Sequence, residues 1–339
     1  MNAPRIMGIP AKLGCNYLYG ALLSTSDQLV KDRQMEALRR ALGEDMLRHL
    51  ADPKVIEIML NPDGKVWIDK LGGDMEHVCD MSPIQSKQIV NTVAGMLETV
   101  VTPEAPILEC ELPLDGSRFE ALIPPLVAQT SFALRKKALL VFTLDDYVSK
   151  GIMSESQKAI IEEAAKDRSN ILVIGGTGTG KTTLANAIID AVARVSSQHR
   201  IVVIEDTREL QVNAPNTVFL RTSDNTDMTR LLRATMRLRP DRIIVGEVRD
   251  GSALALLKAW NTGHPGGVGT VHANDARAAL IRVGQLIAEV TPQPQSELIA
   301  EAVNLVVSIK RTATGRVVDE IVRVNGWTQA GGFDVTSLI

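Results

Sequence analysis

Cysteine is scarce in this sequence, and long apolar runs are missing. Only three cysteines occur among 339 residues, namely Cys15, Cys79 and Cys110, and none stands at a paired spacing. The spacing therefore indicates neither a disulfide framework nor a zinc-binding motif, and it suits a reducing cytosol. No stretch of about 18 consecutive apolar residues is present that could cross a bilayer, and residues 1–10 lack the apolar core of a signal peptide. We expect a cytoplasmic protein, for which peripheral attachment to a membrane machine remains open.

An excess of basic residues is also absent. The chain carries 37 Lys and Arg against 40 Asp and Glu, a net charge of -3. Proteins that wrap nucleic acid usually show a strongly basic surface. The sequence thus gives no direct evidence for nucleic-acid binding, although a local basic groove is compatible with it. The chain shows no internal repeat and no low-complexity tail, and its length allows two domains.

The first part of the chain mixes helical and strand patterns. Apolar residues recur at three- and four-residue intervals over 26–50, and the turn sequence 61–64 separates two strand-like runs. This order predicts a small α+β domain with an antiparallel sheet over residues 1–138. The predicted elements are a helix over 26–50, strands over 55–60 and 65–69, a helix over 84–99, and strands over 119–123 and 131–135.

Residues 139–156 have a looser pattern and are predicted to be a linker. From 157 to 339, short apolar strands alternate with helical segments. Such alternation is typical of a mostly parallel sheet covered by helices on both faces. Two late strands, around 304–309 and 316–324, are expected to extend or cap that sheet. The predicted fold of residues 157–339 is therefore α/β, and it follows the small α+β domain.

The strongest motif is a complete Walker A phosphate loop. It follows the apolar run 171–174 and opens into a segment with helical spacing. Its glycines let backbone N–H groups converge on phosphate oxygens, and the helix N-terminus adds partial positive charge. Lys181 is expected to reach the β- and γ-phosphates, and the Thr182 hydroxyl to ligate Mg²⁺. The predicted nucleotide-binding residues of the loop are Gly175, Gly176, Thr177, Gly178, Thr179, Gly180, Lys181, Thr182 and Thr183.

Two further apolar strands end in acids. Glu247 follows the run 242–246 in the Walker B arrangement, and we expect it to hold Mg²⁺, in part through water. Glu205 and Asp206 follow the run 201–204. Because adjacent strand residues point to opposite faces, only one of these two acids can face the γ-phosphate. Glu205 is the predicted residue that polarises the attacking water, and Asp206 is expected to cap the following turn. The alternative is that these acids only terminate their strands.

Two of the five histidines flank a glycine-rich turn and a short strand. They are His264 and His272, and no further ligand at zinc spacing accompanies them. Because the strand ending at His272 fits the same sheet edge as the phosphate loop, His272 is predicted to sense the γ-phosphate or one of the acids. His264 is a second candidate for nucleotide binding, and a purely structural role is the alternative for both residues.

Arg118 and Arg135 lie on late strands of the first domain. The planar guanidinium group donates in pairs and suits phosphate. Either residue is a candidate for contacting nucleotide at a domain or subunit boundary, as arginine fingers do. Solvated surface arginines are the alternative.

Taken together, the four segments 175–182, 204–209, 239–250 and 262–274 resemble the Walker A, Asp-box, Walker B and His-box signatures of the secretion (traffic) ATPases. The chain is most similar to the type IV secretion branch, and within it to the TrbB-like conjugal-transfer ATPases. It lacks the tetracysteine module of type II secretion motors and the arginine-rich signature of pilus-retraction motors.

The resemblance implies a RecA-like P-loop ATPase domain after the small α+β domain. It also implies an ATP- and Mg²⁺-dependent hydrolase that powers type IV secretion or conjugal transfer. It implies Glu205 as the Asp-box catalytic glutamate, Glu247 as the Walker B acid, and His264 and His272 as His-box residues. It also implies a homo-hexameric ring at the inner membrane, with channel components as partners. The alternatives are a RecA-like DNA motor, a pilus-assembly or type II secretion ATPase, a small-molecule kinase, and a scaffold that binds nucleotide without hydrolysis.

Overall fold

The computed structural model describes residues 25–71, 73–137, 142–195, 197–223, 225–313 and 315–339. Cys15 and the N-terminal segment considered above lie outside these ranges. The described strands form two sheets, one of six strands and one of eight. No helix in the described ranges combines the length and the apolar character that a membrane span requires.

The first sheet is antiparallel, with the strand order β3-β2-β1-β6-β5-β4. Its core also takes in residues of α1 and α2. Gly64, at φ +84°, supplies the left-handed residue that closes the β1–β2 turn. The predicted α+β organisation is confirmed. The elements are α1 (Thr25–Ala51, interrupted at Gly43), β1 (Val55–Leu60), β2 (Lys65–Lys70), β3 (Glu76–Asp80), α2 (Pro83–Met96), β4 (Ile107–Glu111), β5 (Arg118–Leu122) and β6 (Ser131–Arg135).

The second sheet has the order β14-β13-β12-β7-β11-β10-β8-β9. All pairs from β12 to β9 are parallel, and β13 and β14 add to the β12 edge in antiparallel pairing. The predicted α/β fold is confirmed. The elements are α3 (Leu144–Ser149), α4 (Glu155–Lys166), β7 (Ile171–Gly175), α5 (Lys181–Val195), β8 (Ile201–Glu205), β9 (Thr217–Arg221), α6 (Met228–Thr235), β10 (Arg242–Val245), α7 (Ser252–Asn261), β11 (Val268–His272), α8 (Ala276–Ala288), α9 (Ser296–Ala302), β12 (Leu305–Thr312), β13 (Gly315–Thr328) and β14 (Gly332–Ser337).

Each face of the second sheet carries its own apolar core. One core includes Trp260 and residues of α7 and α8, and the other includes Ile188 and residues of α4 and α5. Central strands such as β7 and β8 are buried throughout, which explains their continuous apolar sequences. These two cores fix where the carboxyl ends of the strands emerge.

Part of the predicted linker packs on this second sheet. Leu144 and Tyr147 of α3, together with Met153, are buried in the same core as α5. Helix α3 thus belongs to the core of the second sheet, and the division into residues 1–138, 139–156 and 157–339 stays a prediction.

Candidate nucleotide-binding site

The phosphate loop lies at the carboxyl edge of the second sheet. Strand β7 ends at Gly175 and helix α5 begins at Lys181. Gly178 (φ +70°) and Gly180 (φ +98°) adopt left-handed backbone conformations that strain other residues. The Lys181 ammonium donates to the carbonyl of Gly176 at 3.0 Å. The phosphate loop therefore folds over the Lys181 side chain, and the N-terminus of α5 lies at the same end of the loop.

The parallel pairing of β11 with β7 places His272 beside this loop. His272 ends β11 and stands opposite Gly175 in the register between β11 and β7. The Nδ1 atom of His272 lies 3.1 Å from Nζ of Lys181. Its Nε2 atom lies 2.8 Å from Oε1 of Glu247, and the second carboxylate oxygen of Glu247 accepts two bonds from Arg249 at 2.6 and 2.8 Å. Lys181, His272, Glu247 and Arg249 therefore form one continuous polar chain.

The His272 ring lies between a cation and a carboxylate. Nζ of Lys181 is 3.1 Å from Nδ1 and 3.3 Å from Nε2 of the ring, and Nε2 faces Oε1 of Glu247. Burial, followed by the nearby Lys181 charge, lowers the pKa of His272, in keeping with a neutral ring. Burial also lowers the pKa of Lys181, against the raising effect of Glu247. These short distances bring two cations, one imidazole and one carboxylate together at the edge of the sheet.

The turn after β10 positions Glu247. The Thr270 hydroxyl donates to the carbonyl of Gly246 at 2.7 Å, and the backbone N–H of Val248 donates to the carbonyl of Thr270 at 2.9 Å. At Gly246, an added Cβ would lie 3.2 Å from Cγ of Glu205. The glycine therefore makes room for the buried Glu205 side chain.

Glu205 is a buried carboxylate that organises the turn after β8. It is 3% exposed, and its Oε1 atom accepts the backbone N–H groups of Glu209 and Leu210 at 2.9 and 2.7 Å. Burial raises the pKa of Glu205, and these two bonds lower it. The expectation that Asp206 caps this turn is wrong: Glu205 does so, and the carboxylate of exposed Asp206 accepts the Thr222 hydroxyl at 2.9 Å.

The turn that Glu205 holds presents Glu209 to the phosphate loop. Oε2 of Glu209 accepts the Thr182 hydroxyl at 3.1 Å. The side-chain amide of Asn186, on α5, donates to the backbone carbonyl of Glu209 at 3.1 Å. Glu209 lies within the segment 204–209 that resembles the Asp box, but it was not a predicted site residue. The available signal was a third acid, four residues beyond the end of a buried strand.

The first sheet contacts this edge through two ion pairs. The guanidinium of Arg135, at the end of β6, lies 4.0 Å from Oε2 of Glu209. Glu111 of β4 lies 3.0 Å from Arg221, the last residue of β9. Arg118 stands opposite both Glu111 and Arg135 in register, and within the described ranges it has no hydrogen bond or ion pair with the loop. Of the two predicted arginines, only Arg135 is therefore brought to the candidate site.

His264 lies away from the loop. Its Nδ1 atom is 2.8 Å from the carbonyl of Pro240, which precedes β10. His264 also precedes β11, so it lies at the amino end of strands whose carboxyl ends carry the loop. The structure therefore separates the two predicted histidines, because one comes before β11 and the other ends it.

One basic residue near the loop was not predicted. Arg316 of β13 has its Nη2 atom 3.4 Å from the carbonyl of Gly178. It is contributed by the hairpin of β12 and β13, more than 130 residues after the loop in sequence. No local motif marks it.

Comparison with known proteins identifies the family. The model of the family described as "Type II/IV secretion system protein" matches residues 41–323, most of the chain. The chain belongs to this family. The resemblance to secretion ATPases is thereby confirmed.

Individual relatives agree with this assignment. The chain is 51% identical over 305 residues to a probable conjugal transfer protein TrbB of Sinorhizobium fredii, covering 90% of this chain and 94% of the relative. It is 30% identical over 288 residues to the type IV secretion system protein VirB11 of Bartonella quintana, covering 73% of this chain and 80% of that protein.

Solved structures share the fold. The ATPase DotB of Yersinia pseudotuberculosis has a TM-score of 0.59 at 17% identity, covering 97% of this chain and 86% of that structure. The pilus retraction motor PilT with bound ADP has a TM-score of 0.56 at 19% identity, covering 86% of this chain and 81% of that structure. The P-loop architecture is therefore common to these proteins.

The contacts of His272 predict the pH range in which its ring titrates. Because burial and Lys181 both lower the pKa of His272, we expect the ring to titrate below 6.5 and to be neutral at pH 7. Replacing Lys181 with Met removes a positive neighbour and should raise this pKa, whereas Lys258→Met, at the exposed end of α7, should leave it unchanged. NMR titration of the assigned imidazole signals measures both effects. A His272 that titrates above 6.5, or that ignores Lys181→Met, contradicts the described geometry.

Proposed function

We propose that this chain is an ATP- and Mg²⁺-dependent hydrolase that acts as a motor of type IV secretion or conjugal transfer. One observation carries the proposal: the phosphate loop, Glu209, Glu247 and His272 meet at one carboxyl edge of the sheet. Nucleotide hydrolysis requires a phosphate cradle, a held metal and a positioned water, and this edge offers residue types for each. The family match and the conjugal-transfer relatives support the cellular role.

The loop residues bind the phosphates in this proposal. Backbone N–H groups of residues 175–183 cradle the nucleotide, and Lys181 turns from the Gly176 carbonyl and His272 to the β- and γ-phosphates. The ammonium is already desolvated, so a phosphate oxygen meets a strong donor there. Once Lys181 has turned to the phosphates, its positive charge no longer faces Nδ1 of His272, and this nitrogen takes up a proton and donates to the γ-phosphate, which makes His272 a sensor of nucleotide state.

The metal site fits Mg²⁺ by its donor chemistry. The hydroxyl of Thr182 and the carboxylate of Glu209 are oxygen donors already 3.1 Å apart, and Glu247 adds a second carboxylate at the same edge. Mg²⁺ prefers such hard ligands and completes its shell with phosphate oxygens and water. When bound, it neutralises charge that develops on the transferred phosphoryl group.

We assign the water-positioning role to Glu209 and a supporting role to Glu205. One oxygen of Glu205 is occupied by two backbone N–H groups within the protein interior, whereas Glu209 is partly exposed beside Thr182. A group that positions water must reach the solvent-accessible cleft. Glu205 therefore acts through Glu209, by fixing the turn that carries it.

The two ion pairs between the sheets supply a route from nucleotide to motion. Arg135 contacts the same Glu209 carboxylate that accepts the Thr182 hydroxyl, so a change at the loop alters a contact with the first domain. Domain closure around a ligand is a common way to convert binding into movement. We propose that such closure, repeated around a homo-hexameric ring at the cytoplasmic face of the inner membrane, drives a transfer channel.

Loss of Lys181 tests the site. Lys181→Ala removes the donor to the β- and γ-phosphates, so ATP hydrolysis should fall by at least about 100-fold, a common scale for losing a transition-state donor. Lys258→Ala, an exposed lysine on α7, serves as the matched control and should hydrolyse ATP like the unchanged protein. Phosphate release from purified protein is the measurement. Full turnover by Lys181→Ala contradicts the proposed site.

Glutamine substitutions distinguish the roles that we propose for Glu205 and Glu209. Glu209→Gln should retain nucleotide binding and lose turnover by roughly 100-fold or more, because the amide cannot accept a proton from water. Glu205→Gln keeps an oxygen that can accept the Glu209 and Leu210 N–H groups, so it should retain most activity. Phosphate release and binding of a fluorescent ATP analogue measure both properties. Loss of turnover in Glu205→Gln with normal turnover in Glu209→Gln reverses our assignment.

The oligomeric state of the protein with bound nucleotide tests the proposal that it is a ring-shaped motor. Electron microscopy of the protein with Mg²⁺ and a non-hydrolysable ATP analogue should show closed six-fold rings, because a repeating interface around one axis closes on itself. ATPase assays with and without DNA are run in parallel. A monomer whose turnover rises with DNA supports the RecA-like DNA motor, and binding without any phosphate release supports the scaffold.

A further inference from the structure

The hairpin of β12 and β13 is tied to the phosphate loop. Strand β12 runs parallel to β7 as far as the pair Ser308 and Ile174, and it then continues beyond the end of β7. The carbonyl of Ile309 lies so close to Gly175 that an added Cβ at this glycine would collide with it. The hairpin therefore has a fixed position above the loop.

Arg316 projects from this hairpin onto the loop. Its Cδ and Nε atoms lie 3.3 and 3.4 Å from the place where a Cβ of Gly180 would be, and its Nη2 contacts the Gly178 carbonyl at 3.4 Å. The Nε atom is buried and has no hydrogen-bond acceptor among the described residues. Within the same ranges, no carboxylate lies within 4.0 Å of this guanidinium. A phosphate oxygen would provide the acceptor that the buried Nε–H group of Arg316 lacks.

A second arginine adds to the local positive charge. Arg311 stands directly opposite Arg316 in the β12–β13 register. Like charges at opposed positions of an antiparallel pair are destabilising. The nearby carboxylate of Asp319 pairs with Lys310 at 2.9 Å. The hairpin tip thus presents uncompensated positive charge beside a phosphate loop.

We infer that Arg316 binds the α-phosphate side of the nucleotide, the part that ATP and ADP share. This inference rests on the proposed function. Strand β7 lies between β11 and β12. The residues that mark the γ-phosphate end, His272 and Glu247, lie on the β11 side. Arg316 comes from the β12 side, so its donors meet the opposite end of the phosphate chain.

Binding measurements on three arginine variants test this inference. Arg316→Gln should weaken ADP and a non-hydrolysable ATP analogue by a similar factor, about tenfold, because a charge-assisted bond to a phosphate oxygen is lost in both complexes. Arg316→Lys should recover part of the affinity. Arg282→Gln, at an exposed position of α8, is the control and should bind both nucleotides within about twofold of the unchanged protein. Calorimetric titration with Mg²⁺ present supplies the affinities, and thermal unfolding checks that each variant folds.

Chemical protection in the unchanged protein gives a second test that does not depend on a variant. ADP should shield Arg316 from an arginine-directed dicarbonyl reagent and leave Arg311 reactive, as read by mass spectrometry. Unaltered affinity of Arg316→Gln for both nucleotides, loss of triphosphate binding alone, or equal labelling of Arg316 with and without ADP each overturns the inference. If the unchanged protein binds neither nucleotide, the proposed function itself fails.

Discussion

The site depends on the parallel pairing of β7 with a strand on each side. Register with β11 places His272 beside Gly175, and pairing with β12 carries the later hairpin over the same loop. Parallel strands end at a common edge, so residues far apart in sequence arrive together there. The buried cores on both faces maintain this register, because a one-residue slip would exchange the side chains that pack in the two cores.

Charge at the edge is balanced within the protein before any nucleotide arrives. The Lys181 ammonium is buried, and it contacts a carbonyl and a neutral imidazole, while Glu247 is shared between His272 and Arg249. Such a chain leaves each group with a partner that a phosphate oxygen or metal can replace. In the proposed function, displacing Lys181 from this chain alters the contacts of His272 and Glu247, while Thr182 connects the loop separately to Glu209 and so to Arg135 of the first sheet.

Sequence patterns predicted the architecture well where local rules govern it. The glycine-rich loop, the buried strands and the amphipathic helices follow from spacing and propensity, and the acid after β10 follows from its position at a strand end. The Glu205 side chain shows the limit of that reasoning. Both Glu205 and Glu209 come after the same buried run, and only the folded turn decides that Glu205 faces inward to backbone N–H groups while Glu209 reaches Thr182.

The sequence by itself determined that this chain has a phosphate loop at the start of a helix within an α/β fold, because those features depend on residues adjacent along the chain. Only the tertiary structure decided which distant side chains share the loop. It brought in Arg135 and Arg316, and it left His264 at the opposite end of β11. These placements depend on strand order and register, which are set by packing between segments far apart in sequence.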